Sequence, residues 1–214
     1  NLEFLTMTAN CDIYYYRLAY NTKIEHFNFP LQLKEIKEVG LFKTTSICSG
    51  GKINSSIWNS GRIVTIPLKC SYGGFGFDAH KYLEDIRGLN GKIKINTQYL
   101  FRGCNSLKLR YEWFDETVTS IGTGCFTNCW SMDEFMCPPH VSVINATAFQ
   151  NCYSMRYYDF TKLSAVPTLA NANAFTGIPA DCEIRVPMAL VDEWKAATNW
   201  STYADYIVGI ETNN

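Results

Sequence analysis

What this sequence lacks narrows it first. Formal charge is almost absent, with 19 Lys and Arg against 20 Asp and Glu and a net of -1. No field therefore gathers phosphate backbones or anionic headgroups, and nucleic acid is not an expected partner. Long apolar runs are missing too: no stretch approaches the roughly 20 residues that a membrane-spanning helix needs, so no membrane insertion is expected. Asn1 to Thr8 lacks a basic start followed by an apolar block. The chain opens on Asn1 and not on Met, as a trimmed product or a piece of something larger would.

Catalytic equipment is equally thin. His26, His80 and His140 are the only histidines, and none accompanies a G-x-S-x-G elbow or a Cys-His pattern that would activate a nucleophile. Gly73-x-Phe75-Gly76 lacks the Lys-Ser/Thr of a phosphate cradle, and Gly50-Gly51-Lys52 lacks the remainder of a P-loop; both read as turns. Only Cys125-x3-Cys129 approaches the close pairs of a zinc site. Asp115-Glu116 and Asp133-Glu134 read as solvated charges and not as a glycosidase pair. The expectation is no enzyme, no cofactor and no metal.

What is present is apolar and aromatic. Of 214 residues, 47% are hydrophobic, with 13 Phe, 13 Tyr, 5 Trp and 9 Cys. A chain of this length buries roughly 70% of its unfolded surface and holds a core without staples. Nine cysteines cannot all pair, and the expectation is buried, reduced thiols, with an isolated disulfide at Cys125–Cys129 or within the column Cys104, Cys129, Cys152 as the alternative.

Internal repetition supplies the architecture. Ile121-Gly-Thr-Gly-Cys125-Phe126-Thr-Asn-Cys129-Trp-Ser-Met132 aligns with Ile144-Asn-Ala-Thr-Ala148-Phe149-Gln-Asn-Cys152-Tyr-Ser-Met155, and Phe101-Arg-Gly-Cys104-Asn-Ser-Leu107 and Leu169 to Phe175 are partial copies. Strand-then-Pro ends recur at Ile24 to Pro30, Ile63 to Pro67 and Glu183 to Pro187, while Lys69 to Gly91 fits poorly and reads as an insertion or a worn repeat. A unit this short cannot bury its apolar side alone and does so by stacking on its neighbours. Met132, Phe135 and Cys137 are expected inside. Phe-x-x-Cys-x-x-Leu spaces its apolar groups at three residues, as a helical or 3-10 turn would. The fold class expected is an α/β solenoid of about seven or eight units, each a short strand plus a turn or short helix.

These residues resemble the BspA-like leucine-rich repeat family of bacterial surface proteins, also met in some phage proteins. The likeness is closest over Ile121 to Cys152 and weaker over residues 1–92. The resemblance implies a curved array for adhesion or recognition, with no catalytic residues. It also implies an extracellular or cell-surface location, or alternatively a place in a virion. The partner would be a protein or glycan on a host or cell surface, or other virion subunits.

The end of the chain differs from its repeats. Pro187 can open a helix, Leu190, Val191, Trp194 and Ala197 share one stripe, Ser201 can cap a second short helix, and Ile207 to Ile210 reads as a last strand. Residues 1–186 are thus expected to be the array and 187–214 a terminal cap, the alternative being an ordinary amphipathic helix. The outward residues of each strand are the candidate partner-binding set: His26 and Asn28, Ile63 and Thr65, Arg110 and Glu112, Glu134 and Met136, Tyr157 and Asp159, Glu183 and Arg185. Simple solvation is the competing reading of the same positions. Tyr14, Tyr15 and Tyr16 form a second candidate patch.

Overall fold

A computed structural model describes residue 77, residues 83–87 and 90–211, and the backbone of five earlier strands. Those five are β1 (Phe4–Thr6), β2 (His26–Asn28), β3 (Glu35–Ile36), β4 (Ile63–Thr65) and β5 (Ser71–Tyr72). With β6 (Asp85–Arg87), strands β1, β2 and β4 make one parallel sheet in the order β1-β2-β4-β6. Farther along the chain come β7 (Ser120–Ile121), β8 (Glu134–Met136), β9 (Val143–Ile144), β10 (Tyr157–Asp159), β11 (Thr168–Leu169), β12 (Glu183–Pro187) and β13 (Ile207–Ile210). A second parallel sheet runs β8-β10-β12-β13 and a third runs β7-β9-β11, while β3 pairs with β5. Every described strand pair is parallel, because each strand is one copy of a unit laid beside the next.

The units from Ser120 to Pro187 thus carry two strands each where the repeat pattern suggested one. The extra strands of β7, β9 and β11 are two residues long, enough to bury Ile121, Ile144 and Leu169 at equivalent places. Gly122, next to Ile121, is needed for clearance: a Cβ there would stand 2.4 Å from the Thr97 carbonyl oxygen.

The core is a row of phenyl rings. Phe77, Phe101, Phe126, Phe149 and Phe175 stack in sequence with centroids 5.1–5.7 Å apart and planes within 17° of parallel. Burying each ring contributes about 1.5–3 kcal/mol, and each stacked pair adds about 0.5–1.5 kcal/mol. Phe77 belongs to the segment that fits the repeat pattern poorly, so at least that residue of Lys69 to Gly91 continues the array. Met132, Phe135 and Cys137 are buried, as their spacing predicts.

The turns at Phe101, Phe126 and Phe149 have two left-handed positions each, and the turn at Phe175 has one. One lies two residues after Phe and is filled by Gly103 (φ 73°), Asn128 (61°), Asn151 (60°) and Gly177 (84°). Only Gly, or Asn with its local hydrogen bonds, adopts this conformation at little cost. The other falls two residues before Phe, at Tyr99, Gly124 and Thr147. Between them each turn sends its amides forward: Phe101 N donates to Cys125 O, Phe126 N to Ala148 O and Phe149 N to Ala174 O, all at 2.8 Å. The thiols point the other way. Cys104 Sγ donates to Phe77 O (2.9 Å), Cys129 Sγ to Phe101 O (3.1 Å) and Cys152 Sγ to Phe126 O (3.3 Å).

The six described cysteines are free and buried, so neither candidate disulfide forms. Burial holds the thiols of Cys125 and Cys129 well above the ordinary 9.0 and pushes Cys152 up to about 12. They are tied into the repeat by sulfur hydrogen bonds, beyond the small apolar filling expected of them.

After β12 the pattern changes. Pro187 precedes a 3-10 turn over Met188–Leu190, then helix α1 (Val191–Ala196) and a 3-10 segment over Trp200–Tyr206. Trp194 lies against Phe160 (5.3 Å) and Trp200 (4.5 Å), and Trp200 reaches Phe175 at the end of the phenyl row (5.4 Å). Trp200 Nε1 donates to Pro167 O at 2.8 Å, and the Tyr203 hydroxyl donates to Ala172 O. Ser201 does not start this segment. Asn199 does, in the left-handed region, with its Nδ2 donating to Leu169 O at 2.7 Å. Strand β13 closes the sequence against β12.

Candidate recognition surface

Alternation along β8, β10 and β12 buries Phe135, Tyr158, Ile184 and Val186 and leaves the flanking residues partly exposed. Parallel register then aligns Glu134, Tyr157 and Glu183 in one row and Met136, Asp159, Arg185 and Val208 in another. Six of the candidate residues are brought together here, counting Glu183 with the two rows' Glu134, Met136, Tyr157, Asp159 and Arg185.

Tyr157 is the centre of this group. Its hydroxyl donates to Glu134 Oε2 at 2.5 Å, and the Arg185 guanidinium lies 3.9 Å from its ring centroid. Arg185 Nε in turn donates to Glu183 Oε2 at 2.8 Å. Arg156, outside the expected set, sits 5.7 Å from the same ring and within 3.7 Å of Glu134 and 3.3 Å of Asp133. The bond to Glu134, with partial burial, raises the Tyr157 hydroxyl above its ordinary value, so it stays protonated and donating. Both arginines and the tyrosine are thereby oriented before any ligand arrives.

Asp159 is employed differently. Its Oδ1 accepts from Thr161 N (2.9 Å) and Thr161 Oγ1 (2.6 Å), closing a turn. Asp115 does the same with Thr117, which accounts for one of the paired acids.

Arg110 and Glu112 depart from the expected ladder. No strand forms there: Glu112 lies in a 3-10 turn over Tyr111–Trp113, with Arg110 just before it. Trp113 and Phe114 are consecutive and both buried, which strand alternation cannot achieve. The turn takes both inward, and a single bridge, Ile93 to Phe114, replaces the strand. Arg110 still reaches the neighbouring unit through Asp85, 3.3 Å away. In the first sheet, register aligns His26 with Ile63 and Asp85, and Asn28 with Thr65 and Arg87. The side chains of His26, Asn28, Ile63 and Thr65 lie outside the described residues, as do Tyr14, Tyr15, Tyr16, Gly50-Gly51-Lys52 and Gly73 to Gly76.

The repeat pattern did not single out Arg156, nor Trp130 and Tyr153, which are exposed large aromatics with ring centroids 6.3 Å apart. Their signal was the [WY]-Ser-Met slot after each repeated Cys. His140 is exposed on a turn. Among the described residues no group of three or more His, Cys, Asp or Glu could hold a metal ion, and no helix is long and apolar enough to cross a membrane.

A stack of parallel two-strand units around an aromatic row, with an ordered outer face, is the architecture of a leucine-rich repeat protein. Residues 51–178 match the family model for the BspA type leucine rich repeat region, in 6 copies, and the chain belongs to that family. The matched range takes in Lys69 to Gly91, the stretch that fits the repeat pattern poorly. A comparison with curated proteins finds no match. Repeats of this type form solenoid-like folds, generally mediate protein interactions or adhesion, are generally non-enzymatic and are typically surface-associated.

Proposed function

We propose that this chain is a non-enzymatic recognition or adhesion module, acting at a cell surface or outside the cell, and that it binds a protein through its outer strand face. Residues 1–186 serve as the array and the segment from residue 187 as its cap. The cap reading is supported by Trp194 and Trp200, which cover the end of the phenyl row where a further repeat would otherwise sit.

The observation that carries the binding reading is the Tyr157 cluster. Tyr and Arg are the residues that most often dominate binding energy, and here one Tyr is fixed between Glu134 and two guanidinium groups. Holding these side chains in place beforehand lowers the ordering cost of association. Arrayed extracellular and cell-surface proteins and glycans probed with the intact chain test the idea. Capture of a protein that falls at least roughly tenfold in Tyr157→Ala and Arg185→Ala, one decade being about 1.4 kcal/mol, supports it, provided both variants melt like the parent. Capture unaltered by either change removes this face.

A further inference from the structure

We propose that Trp130 and Tyr153, with the hydroxyls of Ser131 and Ser154, form a second binding surface that stacks against consecutive sugar rings of an extended, neutral glycan. The two aromatics fill the same slot of consecutive repeats, directly after Cys129 and Cys152. They remain 46% and 55% exposed although every phenyl ring of the neighbouring row is buried. Their planes tilt by 38° with centroids 6.3 Å apart, so the two rings are neighbours on the surface and both stay open to solvent. Gly177 lies beside Tyr153, and an added Cβ there would stand 3.4 Å from its Cε1.

The surroundings choose the ligand class. Ser131 and Ser154 follow the two aromatics, and neither hydroxyl makes a hydrogen bond within the described residues; the Ser131 amide is anchored to Asn105 O at 3.0 Å. The nearest charges along the chain, Asp133 and Arg156, answer each other at 3.3 Å. Flat apolar faces, free hydroxyls and no net charge match a pyranose, which has an apolar C–H face and a hydroxylated rim. Protein anchors instead fill desolvated pockets, and these two rings stand open. The repeat spacing agrees as well. Trp130 and Tyr153 stand 6.3 Å apart, somewhat more than the 5.1–5.7 Å advance of the core rings and on the scale of one sugar in an extended chain, so successive slots address successive sugars.

Intrinsic fluorescence in a Trp58→Phe background tests this directly, because among the described tryptophans Trp113, Trp194 and Trp200 are buried and Trp130 is open to a quencher. The full chain is titrated with neutral linear gluco-, xylo- and chito-oligosaccharides of increasing length, read by iodide quenching and by calorimetry. The expected result is protection of tryptophan from iodide, stronger for two or more sugars than for one. Trp130→Ala and Tyr153→Ala should each weaken binding roughly tenfold, about 1.4 kcal/mol, with Trp130→Phe retaining most of it. Tyr157→Ala should leave it unchanged, so failure here is separable from failure of the protein-binding face. The proposal is overturned if none of these oligosaccharides protects tryptophan, if binding survives in the Trp130→Ala/Tyr153→Ala double variant, or if only a protein partner loses affinity in that variant.

Discussion

The two sides of a single repeat obey different rules. On the turn side, equivalent slots hold the same residue or a close substitute: five Phe in one row, Cys104, Cys129 and Cys152 in another, Gly or Asn at the left-handed position. On the strand side, Glu134, Tyr157 and Glu183 share a row, as do Met136, Asp159 and Arg185, and within a row few neighbours are chemically alike. The turn side must meet two neighbours through the same hydrogen bonds and ring contacts, so its chemistry is fixed by the translation from unit to unit. Nothing on the outer face repeats that constraint. Stability is therefore concentrated where the units agree, and selectivity is free to develop where they differ.

Alkaline pH should expose that division most strongly. Unfolded thiols ionise near the ordinary 9.0, whereas burial keeps Cys125, Cys129, Cys137 and Cys152 protonated well beyond it. Their stabilising effect is whole below pH 9 and is lost as pH climbs toward the folded values. Each thiol costs about 1.4 kcal/mol per pH unit over that range, and four together rival the total stability of an ordinary domain, about 5–15 kcal/mol. Urea unfolding of the reduced protein, followed by circular dichroism, should show a midpoint that falls steadily once pH rises above 9. A midpoint unchanged between pH 9 and about pH 10.5 would mean that these thiols are not the sealed feature described.

Single substitutions grade the contrast further. Phe149→Ala removes the ring that touches Phe126, Phe175, Phe135 and Tyr158, and should cost about 3–5 kcal/mol in urea unfolding. Gly122→Ala drives a methyl into the Thr97 carbonyl and should cost about 1–3 kcal/mol. Asn151→Ala places an ordinary side chain at φ 60° and should lose about 1–2 kcal/mol, while Asn151→Gly should recover most of it. Tyr157→Ala on the opposite side should shift stability by less than about 1 kcal/mol while abolishing partner capture. A Tyr157→Ala cost matching that of Phe149→Ala would erase the distinction between the two sides.

Much of the turn side was legible in the amino acids because repetition amplifies it. Phe at 23 to 26 residues, the Cys slot, the last helix and the last strand all stand out by spacing. What stayed hidden had no periodic signal. Strands of two residues, such as β7 and β9, are too short to alternate. Phe77 lacks the Cys and Ser that follow Phe101, Phe126 and Phe149, so its place in the row is visible only through the ring it meets. The ladder at Arg110 and Glu112 failed because the buried pair Trp113-Phe114 outweighed the strand pattern. On the outer face the register predicts which residues sit side by side, but pairings such as Arg185 over Tyr157 depend on side-chain geometry that composition does not encode.

The forward direction of the turn amides has a consequence for how the chain is made. The turns at Phe77, Phe101, Phe126 and Phe149 offer N–H groups to carbonyls that belong to the following unit. A ribosome delivers units in that same order, so every newly emerged turn waits with unmet donors until its successor appears. The growing tip is therefore the adhesive part of the nascent array until the tryptophan-bearing segment after β12 emerges and quenches it.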